Sequence, residues 1–305
     1  MKKFLITLLL FGGLFFMYDK LFIAIRNQAS NFDFDNRLDR ILKGEMNYEL
    51  IILGSSRANS HVATWMLEEK LGMDSFNLAY GGANDEFQLF VLQSLIRKNN
   101  KPRLIIKLLD DDIELLFDEG KNFRFDRLYP LVKYQEVRDR LVEANQKDEL
   151  LSQFFILHQI NKSNFDFRTP LKVNDTIEKY GAKPSFGYDK TNIWIYEKNV
   201  KYPSNLEDKR QVNSLLEIQR ICKENNVKLI FATATGYRQF SEEWFLRINE
   251  LIQDDFLIFK PNRNDSLLSR GRFYADDNHR NLDGAKIYTK ELIDFILANH
   301  QELDF

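Results

Sequence analysis

Tyr48–Gly72 reads YELIILGSSRANSHVATWMLEEKLG: a short unbroken apolar run, a glycine, two serines, then a stretch with helical spacing. A strand with one wet face alternates apolar and polar side chains. Leu50–Leu53 is apolar throughout, which marks a strand covered on both faces. The helix predicted over His61–Gly72 completes a strand–turn–helix unit, and the same rhythm recurs along the chain. SFNLAYGG (Ser75–Gly82) predicts a second strand, followed by a helix over Asn84–Asn100. RLIIKLL (Arg103–Leu109), VKLIFAT (Val227–Thr233) and FLIFK (Phe256–Lys260) predict three more, with a helix through Ser241–Ile252 between the last two. A final helix carries Ala285, Tyr288, Leu292, Phe295 and Ile296 on one side. Apolar strands alternating with helices predict an α/β fold, a mainly parallel sheet between two helical layers.

With 305 residues, the chain is long enough for one large domain carrying an insertion. Its 43 basic and 45 acidic residues nearly cancel, so it lacks the basic excess of a nucleic-acid binder, and no nucleic-acid partner is expected. The single cysteine, Cys222, excludes an internal disulfide framework and a cysteine-rich metal site. Its helical spacing with Val212, Leu215 and Ile218 places it in the core.

At the N-terminus Lys2 and Lys3 precede an apolar run from Phe4 to Tyr18, which resumes at Leu21–Ile25. Counted through Ile25 the run reaches the ~20 residues a spanning helix needs. Residues 1–26 are therefore read as an uncleaved signal anchor, with a cleaved signal peptide and a buried soluble helix as alternatives. The leading lysines favour a cytoplasmic N-terminus. That predicts a single pass through a bacterial inner membrane and a periplasmic C-terminal domain. Residues 27–47 read as a polar linker and 48–305 as the main domain. The strand rhythm stops over about 110–205, which reads as a helical and loop insertion. Within it Pro130–Ile160 looks helical, and Tyr188, Trp194 and Tyr196 suit either sugar stacking or packing on the sheet.

Ligands of parallel α/β sheets bind at the carboxyl ends of the strands. The first strand ends in Gly54-Ser55-Ser56-Arg57, offering a serine at the start of a helix. The second ends at Gly81 and Gly82, where backbone N–H groups can approach a ligand closely. The segment before the last helix holds Asp276, Asp277 and His279, in a chain with four histidines. A nucleophile, backbone donors and an acid–imidazole pair on one rim are the set that acyl transfer needs. Each has a plainer reading. Ser56 suits a helix cap, Ser55 or Ser60 could replace it as nucleophile, Asp277 could replace Asp276, and His279 suits a helix entry. Arg57 reads as a partner of an anionic substrate or of Asp110, Asp111 and Asp112, to which no metal is assigned, and equally as a solvated arginine. His61, His158 and His300 read as packing or surface residues.

In these blocks the chain resembles the SGNH (GDSL-like) hydrolase superfamily, in its membrane-anchored cell-envelope branch. Gly54-Ser55-Ser56 stands at the family's Gly-Asp-Ser block, which puts Ser56 at the nucleophile's place. NLAYGG keeps Asn77 and Gly82 of the Asn-x-Gly-x-x-Gly block, with Ala79 for the first glycine. DDNH matches the Asp-x-x-His block through Asp276 and His279. The resemblance covers Tyr48–Phe117 and Asp208–Ile296 and leaves the insertion unexplained. It implies a three-layer α/β/α sandwich with a flavodoxin-like sheet, an oxyanion site made of the Ser56 and Gly82 N–H groups, and no cofactor. It also implies an ester hydrolase or O-acyltransferase, O-acetyl in the first instance, acting on an acylated sugar or polysaccharide of the envelope. One block departs. The family's Gly-x-Asn-Asp supplies an asparagine amide to the oxyanion, and here the third strand runs into Asp110-Asp111-Asp112. An ionised carboxylate repels an oxyanion, and losing one donor costs on the order of 100-fold in rate. A catalytically degenerate fold that binds polysaccharide or a partner is the alternative this departure keeps open.

Overall fold

The apolar runs pair side by side as five parallel strands: β1 (Leu50–Leu53), β2 (Ser75–Asn77), β3 (Leu104–Leu109), β4 (Lys228–Thr233) and β5 (Leu257–Phe259). Their order across the sheet is β2-β1-β3-β4-β5. The computed structural model describes residues 1–26, 36–146, 179–183, 185–187, 201–234, 236, 241–261 and 271–303. The chain forms two compact units, Met1–Lys43 with Arg124–Val173, and Gly44–Phe123 with Asn174–Phe305. The segment assigned to an insertion is thus shared between them.

The sheet belongs to the second unit, and its register explains why its strands are apolar throughout. Ile52, Ile106 and Ile230 are neighbours across three strands and point to one face. There they join Leu67, Tyr288, Leu292 and Ile296 in one core cluster. The alternate residues Ile51, Ile105, Leu229 and Phe231 point to the other face and are as deeply buried. On one side lie the helices Thr64–Leu71 and Leu282–Ala298; the helices Asp85–Lys98 and Lys209–Glu224 pack against each other. The α/β sandwich expected from the sequence is the fold observed. Cys222 lies in this core, its thiol pushed up to about 12 by burial alone.

Two local readings change. The helix expected over His61–Gly72 is preceded by a separate six-residue helix, Ser56–His61, and the chain extends at Val62 before Thr64–Leu71 begins. The stretch read as a linker contains a helix, Arg37–Lys43, that buries Leu38, Ile41 and Leu42. Of the predicted helix over Pro130–Ile160, Gln135–Glu143 forms; residues from 147 on, with His158, lie outside the described residues, as do Tyr188, Trp194 and Tyr196.

In the first unit the helix Lys2–Arg26 has a window, Lys2–Phe22, long and apolar enough to cross a membrane, and only 6% of that window is buried. Phe4, Leu8, Phe11, Leu14 and Met17 point outward.

Gly54 makes the turn out of β1 with φ +155°, and a Cβ there would meet the Ala58 Cβ at 2.5 Å. Gly54→Ala should therefore destabilise the second unit by about 2 kcal/mol or more through overpacking and backbone strain. A urea midpoint equal to that of the parent would contradict this.

Candidate active site

Ser56 is placed by its neighbours. The Ser55 side chain caps the short helix by accepting from the Arg57 N–H at 3.2 Å, so Ser56 occupies the first helical position beyond the end of β1. Ser55 is thereby the cap and Ser60 bonds back to the Arg57 carbonyl, which leaves Ser56 the serine that faces the imidazole. His279 Nε2 lies 2.8 Å from Ser56 Oγ. On the other side of the ring, Nδ1 is 2.9 Å from both Asp276 oxygens. An ionised carboxylate only accepts, so Nδ1 carries the proton and Nε2 turns its lone pair to the Ser56 hydroxyl. The three residues singled out across 223 positions of sequence form one hydrogen-bonded chain.

The acid–imidazole pair is built locally. Asp276 Oδ1 also accepts the N–H groups of Asn278 at 2.8 Å and His279 at 2.9 Å, and Ala275 N–H closes the loop on the His279 carbonyl. Partial burial pushes the Asp276 carboxyl up, but these N–H groups and His279 outweigh it and hold it below the usual range. Asp276, and not Asp277, is the imidazole's partner.

Beyond β2 the chain continues beside β1 through Leu78 N–H to the Ile52 carbonyl and Tyr80 N–H to the Gly54 carbonyl. This brings Gly81 against Ser56, where a Cβ would stand 3.7 Å from the serine's own. Gly82 turns with φ +69°, and its carbonyl accepts from Asn122. Among the described residues nothing accepts from the N–H groups of Ser56 and Gly82. Asn77 is fully buried: its amide donates to the Ala58 carbonyl and its Oδ1 accepts from Ala79, pinning the second strand end to the serine's helix.

The aspartates after β3 have a different task from the one their position suggests. Asp111 Oδ2 accepts from Arg57 Nη1 at 2.9 Å and from Gly236 N–H at 2.7 Å. Arg57 is itself buried and donates further to the Ala234 carbonyl and to Asn278 Oδ1. Burial disfavours its charge, yet Asp111 and Asp110 more than compensate, so the guanidinium stays protonated. Arg57 is therefore an internal tie and not an exposed anion receptor. Asp110 pairs with Lys121 at 3.2 Å, and the Asp112 side chain lies outside the described residues. Among the described residues no group of three or more His, Cys, Asp or Glu side chains is placed to hold a metal.

Beneath this rim five charged side chains are buried together. Lys107 of β3 pairs with Asp85 at 2.9 Å and with Glu114, and Lys121 bridges Glu114 and Asp110. Three carboxyls face two ammonium groups, which leaves one carboxyl in excess. Burial, then the nearby Glu114, pushes Asp85 up to about 7, while Lys107 and Lys121 hold Glu114 well below its usual range against its own burial.

His61, read as a packing residue, is fully buried, and its Nε2 lies 3.0 Å from the Asn278 carbonyl. Neither it nor Asn278 was singled out, although His61 lies four positions after Arg57 on the short helix that begins with Ser56 and Asn278 lies inside DDNH. Lys107 in the apolar run LIIKLL was the available signal for the buried ion pairs. A separate cavity of about 520 Å³ opens at Phe186, Arg272, Phe273, Asn281 and Asp283, and none of Ser56, Asp276 and His279 lines it. A scan against protein-family models finds no match, and neither does a search of curated proteins.

A carboxyl raised to about 7 holds a proton in the folded state that the unfolded chain has released above ~4, so Asp85 lowers stability as pH rises through that window. His61 acts oppositely: burial, then Arg280 and Arg57, holds it well below 6.5, so it favours the fold as pH rises toward 6.5. The difference between Asp85→Asn and the parent isolates the first effect. The variant's urea midpoint, relative to the parent's, should become more favourable between pH 5 and pH 7.5. A flat or falling difference would show that Asp85 is ionised throughout.

Proposed function

We propose that the chain is a serine ester hydrolase or O-acyltransferase of SGNH type. Its substrate class would be acylated, most simply O-acetylated, sugars of a bacterial cell envelope. The observation that carries the reading is the 2.8 Å approach of His279 Nε2 to Ser56 Oγ, with Nδ1 held by Asp276. The order of Ser, Gly and Asp-x-x-His blocks along a parallel sheet supports it, and the glycan substrate rests on the family resemblance alone. The N-terminal helix would anchor the protein in the inner membrane, with Lys2 and Lys3 cytoplasmic and the sheet unit periplasmic.

In this reading His279 Nε2 takes the Ser56 proton as Oγ attacks the ester carbonyl. The Ser56 and Gly82 N–H groups receive the oxyanion, and the Asp276 carboxylate stabilises the imidazolium. Collapse expels the alcohol, which leaves with the proton returned by His279. Water then attacks the acyl-serine for hydrolysis, or a second sugar hydroxyl does so for transfer, with His279 again as base. Asp111 is committed to Arg57 and Gly236, so the two backbone N–H groups carry the oxyanion without an asparagine amide. Slow turnover follows.

Fluorophosphonate labelling of the full chain in detergent, read by intact mass and peptide mapping, tests this. One adduct on Ser56 is expected, absent in Ser56→Ala and His279→Ala. Asp276→Asn should slow labelling by roughly 10²- to 10⁴-fold. A folded parent that takes up no label would sink the hydrolase and favour a non-catalytic binding protein of the same fold.

A further inference from the structure

Arg57 and His61 stand four residues apart, hence on one face, on the short helix that begins with Ser56. Both reach the same residue of the histidine loop. Arg57 Nη2 donates to Asn278 Oδ1 at 2.7 Å, and His61 Nε2 meets the Asn278 carbonyl at 3.0 Å. A carbonyl only accepts, so His61 carries its proton on Nε2 and is the donor. Its Nδ1 is buried with no partner among the described residues, a cost that the bond on the other side offsets. Burial and the facing charges of Arg280 and Arg57 keep the ring neutral, with Tyr288 edge-on at 5.8 Å.

We infer that His61 and Arg57 are positioning residues for the reaction proposed above: with Asn278 between them they form a clamp that holds His279 against Ser56. The inference rests on that reading. Asp276 acts within its own loop, since its bonds run to Asn278 and His279. It fixes the imidazole within the loop but not the loop against the nucleophile. The helix that carries Ser56 does this through the peptide that joins Asn278 to His279, gripped at the carbonyl one bond before the His279 nitrogen. A displacement of 1 Å at a reacting group costs about 10²-fold in rate, so the clamp's worth lies in alignment and not in contact with substrate.

The test compares His61→Gln, whose amide N–H can replace the Nε2 donor, with His61→Phe, which fills the space without one. Two readouts are taken on folded full-length protein: the fluorophosphonate labelling rate of Ser56, and the downfield proton resonance of His279 Nδ1–H against Asp276. His61→Phe should label about 10²-fold more slowly than the parent and alter the His279 resonance, and His61→Gln should restore both. A His61→Phe protein that labels at the parental rate, or keeps the parental resonance, overturns the clamp. So does a His61→Gln protein no better than His61→Phe. A parent that takes no label while His61→Phe still disturbs and His61→Gln restores the His279 resonance sinks the hydrolase reading and supports the clamp.

Discussion

One buried guanidinium connects most of what this site requires. Arg57 leaves the end of the first strand's turn and bonds to the third strand's end through Asp111, to the fourth strand's end through the Ala234 carbonyl, and to the histidine loop through Asn278. Parallel strands pair only as far as their ladders run, and beyond them each chain end is free to diverge. A rigid planar fork with fixed donor directions suits the task of holding several such ends at once, which a lysine's single ammonium would not. The arginine's charge is neutralised by Asp111, whose bond from the Gly236 N–H extends the same tie to the next loop.

That tie accounts for the aspartates that look out of place beside an oxyanion. A buried arginine must be paired, and removing its carboxylate would leave an isolated charge at a cost of about 3–5 kcal/mol. The third strand's end is therefore committed to neutralising internal cations: Asp111 for Arg57, and Asp110 for Lys121. Lys107 and Glu114 continue the arrangement downward, and the extra carboxyl, Asp85, is pushed up to about 7. Among the described residues of this cluster each cation has a carboxylate partner, so the aspartates at the third strand's end are already engaged.

The parts of this molecule legible in its sequence were those governed by short range. Four consecutive apolar residues at Leu50–Leu53 are enough to mark a doubly covered strand, and five such runs with helices between them define the sandwich. Ser56, Asp276 and His279 could be named because their chemistry is specific and each lies at a strand end or helix start. Other features depend on partners far along the chain. Arg57 reads as either an internal or an outward residue until residues 111, 234 and 278 are brought to it. His61 looks like a surface or packing histidine until Asn278 arrives. The break at Val62, which separates the Ser56 helix from the next, leaves no mark in the sequence because neither a proline nor a glycine stands at it.

The two halves of the site differ in how they meet solvent. Asp276 is 55% exposed at its side chain, whereas Asp111 is 3% exposed and Arg57 9%. The residues that would move protons therefore sit on top of the fold, and the residues that align them are inside it. Inheritance would treat the two sets differently. Under the proposed function, loss of Asp276 or His279 would remove the chemistry at the surface, while loss of Arg57 or Asp111 would leave a buried charge unpaired. Descendants that had lost the proposed activity would thus keep the internal ties intact, and the buried pair would outlast the exposed one in the lineage's record.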